Sequence, residues 1–273
     1  MKLSLVISTS DAGFDALAFK GDLESGIEMA KDIGYDGVEI AIRDPKVVNV
    51  AEIKKIAAER GLTIPAVGTG QAFLVEKLSL TSKDEELRKG AVKRLKEHVD
   101  FASELGAMVI IGLIRGFIGD RDREEAISDF VNGVREVAEY AKEKGVSLVI
   151  EPLNRYESDF LNTAEETLEI LDEIGYENVG VLLDTFHMNI EEPRIEESIV
   201  MSKDRLFHFH VADSNRWAPG YGHLDFRGII NTLDKIDYSG FISVECMPLP
   251  GGPRESAEKA HEFLSKTIKE VEQ

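Results

Sequence analysis

Apolar and polar positions alternate between two textures along the chain. Short runs rich in Val, Ile and Leu occupy residues 2–8, 37–42, 63–69, 108–114, 147–153, 179–185, 206–212 and 241–247. Their length and β-branched content predict eight strands. Between them lie longer stretches with apolar residues at helical spacing, over 22–34, 51–61, 84–106, 122–145, 163–175, 194–204, 225–237 and 254–272. These predict eight helices. The punctuation agrees with that division. Asp22 opens the first helix, and Thr163 opens the fifth with Glu166 three residues on, the spacing of a capping box. Glycines close five of the helices just before the next strand.

A strand–helix unit repeated eight times, with no Pro- or Ser-rich linker, predicts a single (β/α)8 TIM barrel over residues 1–273. The rival is a doubly wound open sheet. That fold wants a Gly-rich phosphate turn after the first strand, and the turn here reads STSDAGFDA.

Composition narrows the class of partner. The chain has 273 residues, 30% charged, with a formal net charge of −19. Such a field repels nucleic acid and favours a small-molecule partner. The lone cysteine, Cys246, allows no intrachain disulfide, which fits a reducing cytoplasm. The first residues carry too short an apolar run for a secretory signal, and no run approaches the roughly 18 apolar residues of a membrane span. The expected location is the cytoplasm, with no membrane partner.

In a barrel of this kind chemistry belongs at the C-terminal ends of the strands. The fifth strand runs into Glu151, the sixth into Asp184 and the eighth into Glu245. The seventh carries His208 and His210, and the second carries Glu39. Three ionised carboxylates at one rim repel one another, and a divalent cation relieves that. Two Glu, one Asp and one His form an oxygen-rich set that suits Mn²⁺, with Mg²⁺, Co²⁺ or Zn²⁺ as alternatives. Period-two alternation puts both histidines on the inner face and Phe207, Phe209 and Val211 on the other. His210 is nearer the rim and is the expected ligand. His208 lies about 6–7 Å deeper and is expected to support it through hydrogen bonds. Cys246 faces away from Glu245, toward the helices. GTGQAF, after the third strand, reads as a loop on the substrate side, and Asp213 as a residue that shapes its own loop. His98 and His261 fall in helical patterns and are expected at the surface.

The segments EPLNRYE, LLDTFHMN, HFHVADSNR with the later GHLDF, and ISVE resemble the xylose isomerase-like barrels. Within these the likeness is to the ketose 3-epimerases of the D-tagatose, D-psicose and L-ribulose type. The resemblance implies metal ligation by Glu151, Asp184, His210 and Glu245. It also implies substrate contacts from Glu157, His187 and Arg216, a sugar or keto-sugar substrate, and a homodimer or homotetramer. It assigns nothing at the far end of the sugar to Glu39, Gln71 or Phe73.

Epimerisation at C3 removes a proton on one face and delivers one on the other. Glu151 and Glu245, three strands apart around the rim, are the expected acid/base pair. A 1,2-isomerase, or an inosose or keto-acid isomerase such as hydroxypyruvate isomerase, passes through a related enediolate and is the alternative. The three-zinc apurinic endonucleases share the barrel but need more ligands and an affinity for DNA. A non-catalytic metal-binding barrel is the remaining reading.

Overall fold

The computed structural model describes residues 1–10 and 19–273, apart from the side chain of Gln71. Most of the turn STSDAGFDA lies outside the described residues. Among the described residues there are nine strands: β1 (Lys2–Thr9), β2 (Phe19–Gly21), β3 (Gly37–Ala41), β4 (Ala66–Gly68), β5 (Met108–Ile111), β6 (Leu148–Ile150), β7 (Val179–Asp184), β8 (Leu206–Val211) and β9 (Phe241–Val244). All pair in parallel, in the order β2-β1-β3-β4-β5-β6-β7-β8-β9, and β1 also pairs with β9. That last pairing closes β1 and β3–β9 into an eight-stranded (β/α)8 barrel. The short β2, which the apolar pattern did not predict, adds to β1 outside the closed ring.

β3–β9 each sit within a predicted run, β1 overruns its own by one residue, and helices fill the intervals. The capping chemistry is as read from the sequence. The Asp22 carboxylate accepts from the backbone N–H of Ser25. Thr163 and Glu166 form a reciprocal capping box, and Gly175 ends that helix at φ 73°, where a side chain would be strained. Two short α-helices were not expected, nor were two single-turn 3-10 helices at Pro45–Val47 and Leu113–Arg115. GTGQAF leads into a helix over Gly70–Glu76 instead of an open loop, and Thr185–Glu191 forms a helix directly after β7. Among the described residues no helix is long and apolar enough to cross a membrane.

Period-two alternation sorts each strand's side chains between the helices and the barrel interior. Leu3, Leu5, Ile7, Val38, Ile40, Val109, Ile111, Val181 and Leu183 join the large outer core. Ala66, Ile110, Val149 and Leu182 form a separate small cluster from β4–β7. The opposite half of the interior is polar. There Ser4, Glu39, His208, His210 and Ser243 are all buried, on β1, β3, β8 and β9.

Two expectations are corrected. Phe207 packs against the inner cluster, not the outer core, because the β7–β8 register shifts between Val181 and Leu182. An irregularity of this kind re-aims side chains on the shifted strand. His98 is fully buried, its two ring nitrogens 2.9 Å from the Arg94 carbonyl and 3.1 Å from the Ile42 carbonyl, tying its helix to the end of β3. His261 is half-buried against the Tyr35 ring.

The shifted register depends on a small residue. A Cβ at Gly180 would lie 2.5 Å from the Phe207 ring and 2.7 Å from the Arg205 carbonyl. Gly180→Ala should therefore cost about 1–3 kcal/mol, through overpacking against backbone. Urea unfolding at neutral pH measures this, and an unchanged midpoint would contradict the packing described.

Candidate active site and metal centre

The barrel delivers four donor atoms to one point. Glu151 follows β6, Asp184 ends β7, His210 lies near the end of β8 and Glu245 follows β9. One ligand atom from each lies within 4.8 Å of all the others. His210 Nδ1 sits 3.8 Å from Glu151 Oε1 and 3.8 Å from Glu245 Oε2. Glu151, Asp184 and His210 are buried, and the Glu245 side chain is 12% exposed.

Local structure aims these atoms. Asp184 caps the helix over Thr185–Glu191 by accepting from the Phe186 N–H at 2.8 Å through Oδ1. Its Oδ2 is left facing the cluster. Glu151 Oε1, Asp184 Oδ2 and His210 Nδ1 are buried with no hydrogen-bond partner. Orphaned polar atoms this close together are costly without a ligand. Three carboxylates and one imidazole form a donor set that fits a divalent metal.

The electrostatics carry the same message. Burial pushes the Glu151 carboxyl well above the usual range, and Glu245 adds to the shift. Burial and Glu245 raise Asp184 to about 6. Burial works against a proton on His210, but Glu39 and Glu245 outweigh it and hold the ring well above its ordinary value. Without a metal, the cluster relieves its charge by keeping protons.

The remaining expected residues stand over this cluster. The Arg216 guanidinium donates to Glu157 at 2.6 Å and to Glu245 at 3.4 Å, and lies 4.6 Å from the Phe186 ring centre. His187 places Nε2 3.9 Å from both Glu151 and Asp184. Burial, with Arg216 and Arg115 nearby, drives the His187 pKa well down, so the ring is neutral. Asp213 accepts from the N–H groups of Ser214, Gly220 and Leu224 and so shapes the loop that carries Arg216. Cys246 is buried away from the site, its thiol pushed up to about 12 by burial.

Three participants escaped the sequence reading. Asn154 donates to His187 Nδ1 at 2.7 Å through its side chain and at 3.3 Å through its backbone, and its side chain also reaches Glu157 at 3.0 Å. It thereby keeps the His187 proton on Nε2, the nitrogen facing the cluster. The signal was Asn154's place in EPLNRYE, three residues before Glu157. Arg115 is fully buried and donates to the Glu151 carbonyl. Burial lowers its pKa to about 10. Nothing in GLIRGF marked it. Glu39 accepts from both His208 and His210. Its place on the second strand was visible, but its partners across the barrel were not.

Glu151, His210 and Glu245 of the cluster form one wall of a pocket holding about 580 Å³ of empty space, its open mouth included. Glu157, His187 and Arg216 line it nearby, while Ala41, Leu74, Ile110, Leu113 and Leu153 supply apolar surface.

A closed parallel barrel with this rim chemistry defines a class, and comparison with known proteins gives the family. The family described as the xylose isomerase-like TIM barrel matches residues 27–267. The chain belongs to that family. It is 33% identical to an L-ribulose 3-epimerase from Methylomonas sp. over 242 residues, 85% of this chain and 83% of the relative. It is 32% identical to a D-psicose 3-epimerase from Agrobacterium fabrum, covering 83% of this chain and 80% of the relative. The crystal structure of a D-allulose 3-epimerase from Methylomonas sp. in complex with D-allulose superposes with a TM-score of 0.82 at 29% identity, covering 98% of each chain.

The raised carboxyl pKa values make a signed prediction. Asp184 has a folded pKa above its unfolded value, so the metal-free folded state binds more protons between about pH 4 and 6. That contribution is present at low pH and lost as pH rises through 6. Asp184→Asn, neutral throughout, should therefore gain thermal stability relative to metal-free wild type between pH 5 and 7.5. Scanning both proteins in chelator checks this, and a pH-independent difference would contradict it.

Proposed function

We propose that this chain is a metal-dependent sugar epimerase that inverts C3 of an uncharged ketose. The observation that carries this reading is the pair Glu151 and Glu245. They come from strands three apart around the rim, yet one oxygen of each lies 3.8 Å from the same His210 nitrogen. A substrate carbon held between them meets a carboxylate on either side, as inversion at one carbon requires.

Glu151, Asp184, His210 and Glu245 would hold the metal, for which we take Mn²⁺. The ion supplies Lewis acidity toward the substrate oxygens beside the reacting carbon. One of Glu151 and Glu245 takes the C3 proton and the other returns one to the opposite face, with roles exchanged in the reverse direction. The Arg216 guanidinium and the His187 Nε2–H donate to the oxygen on which negative charge develops. Neutral His187 suits this task, because Asn154 fixes its tautomer. Glu157, held by Asn154 and Arg216, binds sugar hydroxyls beside that oxygen.

Charge in the pocket favours a neutral substrate over a keto acid or sugar phosphate. Its described lining includes Glu39, Glu151, Glu157 and Glu245, and the Arg216 guanidinium there is committed to Glu157 and Glu245. Similarity to 3-epimerases for L-ribulose and D-psicose supports the choice of C3.

Mn²⁺-loaded protein in D₂O with a panel of free ketoses should exchange hydrogen at C3. Exchange at C1 with none at C3 would replace the epimerase reading with a 1,2-isomerase. Glu151→Gln and Glu245→Gln should each lower kcat by about 10²–10⁴-fold at metal saturation. If both variants retain activity on every sugar that wild type accepts, the acid/base assignment fails.

A further inference from the structure

Glu39 is buried on β3, outside the four-donor cluster, and its side chain reaches across the barrel interior to β8. Its Oε2 lies 2.7 Å from His208 Nε2 and 3.0 Å from His210 Nε2. Removing a carboxylate from water costs several kcal/mol unless it is paired and hydrogen-bonded. Two imidazole N–H donors meet that need. The chain of contacts continues from His208 Nε2 to Ser243 Oγ at 3.0 Å and on to Ser4 Oγ at 2.5 Å. His208 thus braces Glu39 from behind.

The consequence lies at the other end of the His210 ring. A neutral imidazole carries one proton, and the nitrogen without it is the one able to bind a cation. The cluster carboxylates Glu151 and Glu245 face Nδ1, and alone they would draw the proton there. That tautomer offers no lone pair on the nitrogen facing the cluster. Glu39 pulls from the opposite side, at shorter range and with direct hydrogen-bond geometry.

We propose that Glu39 is a positioning residue that, braced by His208, keeps the His210 proton on Nε2 and so presents Nδ1 to the metal. This rests on the metal site of the proposed function, in which Glu39 is not one of the four ligands. Glu39→Gln keeps the size and one acceptor but loses the charge that makes the pull strong. Outer-shell partners of metal-bound histidines typically contribute 10–100-fold in metal affinity.

The test titrates Mn²⁺ calorimetrically into wild-type protein and Glu39→Gln. It also records long-range ¹H–¹⁵N spectra of histidine-labelled wild type loaded with diamagnetic Zn²⁺. The expected results are an Mn²⁺ affinity about 10–100-fold weaker in the variant, and a wild-type His210 that is protonated on Nε2. A purely structural Glu39 would lower the unfolding temperature and leave the Mn²⁺ affinity of the folded variant unchanged. Affinity within threefold of wild type overturns the inference, and so does a wild-type His210 carrying its proton on Nδ1. If the variant fails to fold, the wild-type spectrum decides alone. Wild type that takes up no Mn²⁺ would instead overturn the metal site on which the inference stands.

Discussion

Three carboxylates that repel one another organise this molecule. Glu151, Asp184 and Glu245 end or follow three strands of a closed barrel, and closure forces those ends together. In water they would stay ionised and apart. Here burial and mutual repulsion raise the Glu151 and Asp184 carboxyls above their ordinary range. Positive charge gathers around them in response. Arg216 bonds Glu245 from above, and Arg115 donates to the Glu151 backbone from a fully buried position. Neither cation sits among the orphaned oxygens, so the centre still calls for an ion.

Such a centre needs a frame that resists rearrangement, and the barrel interior is divided accordingly. Ala66, Ile110, Val149 and Leu182 pack the half beneath β4–β7. The half beneath β8, β9, β1 and β3 holds a hydrogen-bonded set of two serines, two histidines and one glutamate. Buried polar groups specify geometry only when satisfied, since a half-satisfied network is worse than an apolar core. Most of this set is satisfied. His208 Nδ1 is the orphan within it, while His210 Nδ1 is left open toward the metal centre. Glu151 Oε1, Asp184 Oδ2, His187 Nε2 and His210 Nδ1 are thus unpartnered where a ligand can use them.

How much of this was legible in the sequence depended on the range of each interaction. Strand alternation, helix caps and the carboxylates ending the fifth, sixth and eighth strands are local, and they placed Glu151, Asp184 and Glu245 on one rim before any coordinates. The inward pair His208 and His210 also followed from period two. That rule failed at Phe207, because a register shift against β7 is a property of two strands, not one. His98 looked like a surface residue of a helix, since its partner at Ile42 is remote in sequence. Glu39 was visible as a polar residue on a strand. Its role was not, because its partners lie 169 and 171 residues away. The Gly70–Glu76 helix was missed because two glycines in GTGQAF read as a loop.

The loop carrying Arg216 shows how the frame extends to a residue that no strand positions. Arg216 has φ 63°, a conformation that costs a residue with a side chain about 1–2 kcal/mol. Strain of this sort persists only where the surroundings over-determine it. They do so here. The Arg216 N–H donates to the Asp213 carbonyl at 2.8 Å, and its own carbonyl accepts from Met247 at 2.7 Å. The Asp213 carboxylate holds three further backbone N–H groups of the same loop. The Phe186 ring, one residue before His187, supports the guanidinium. A loop fixed at its first residue, at the strained residue and at the segment following β9 has few ways to move. Its guanidinium can then meet developing charge without reorganising, the condition under which a hydrogen-bond donor contributes most to catalysis.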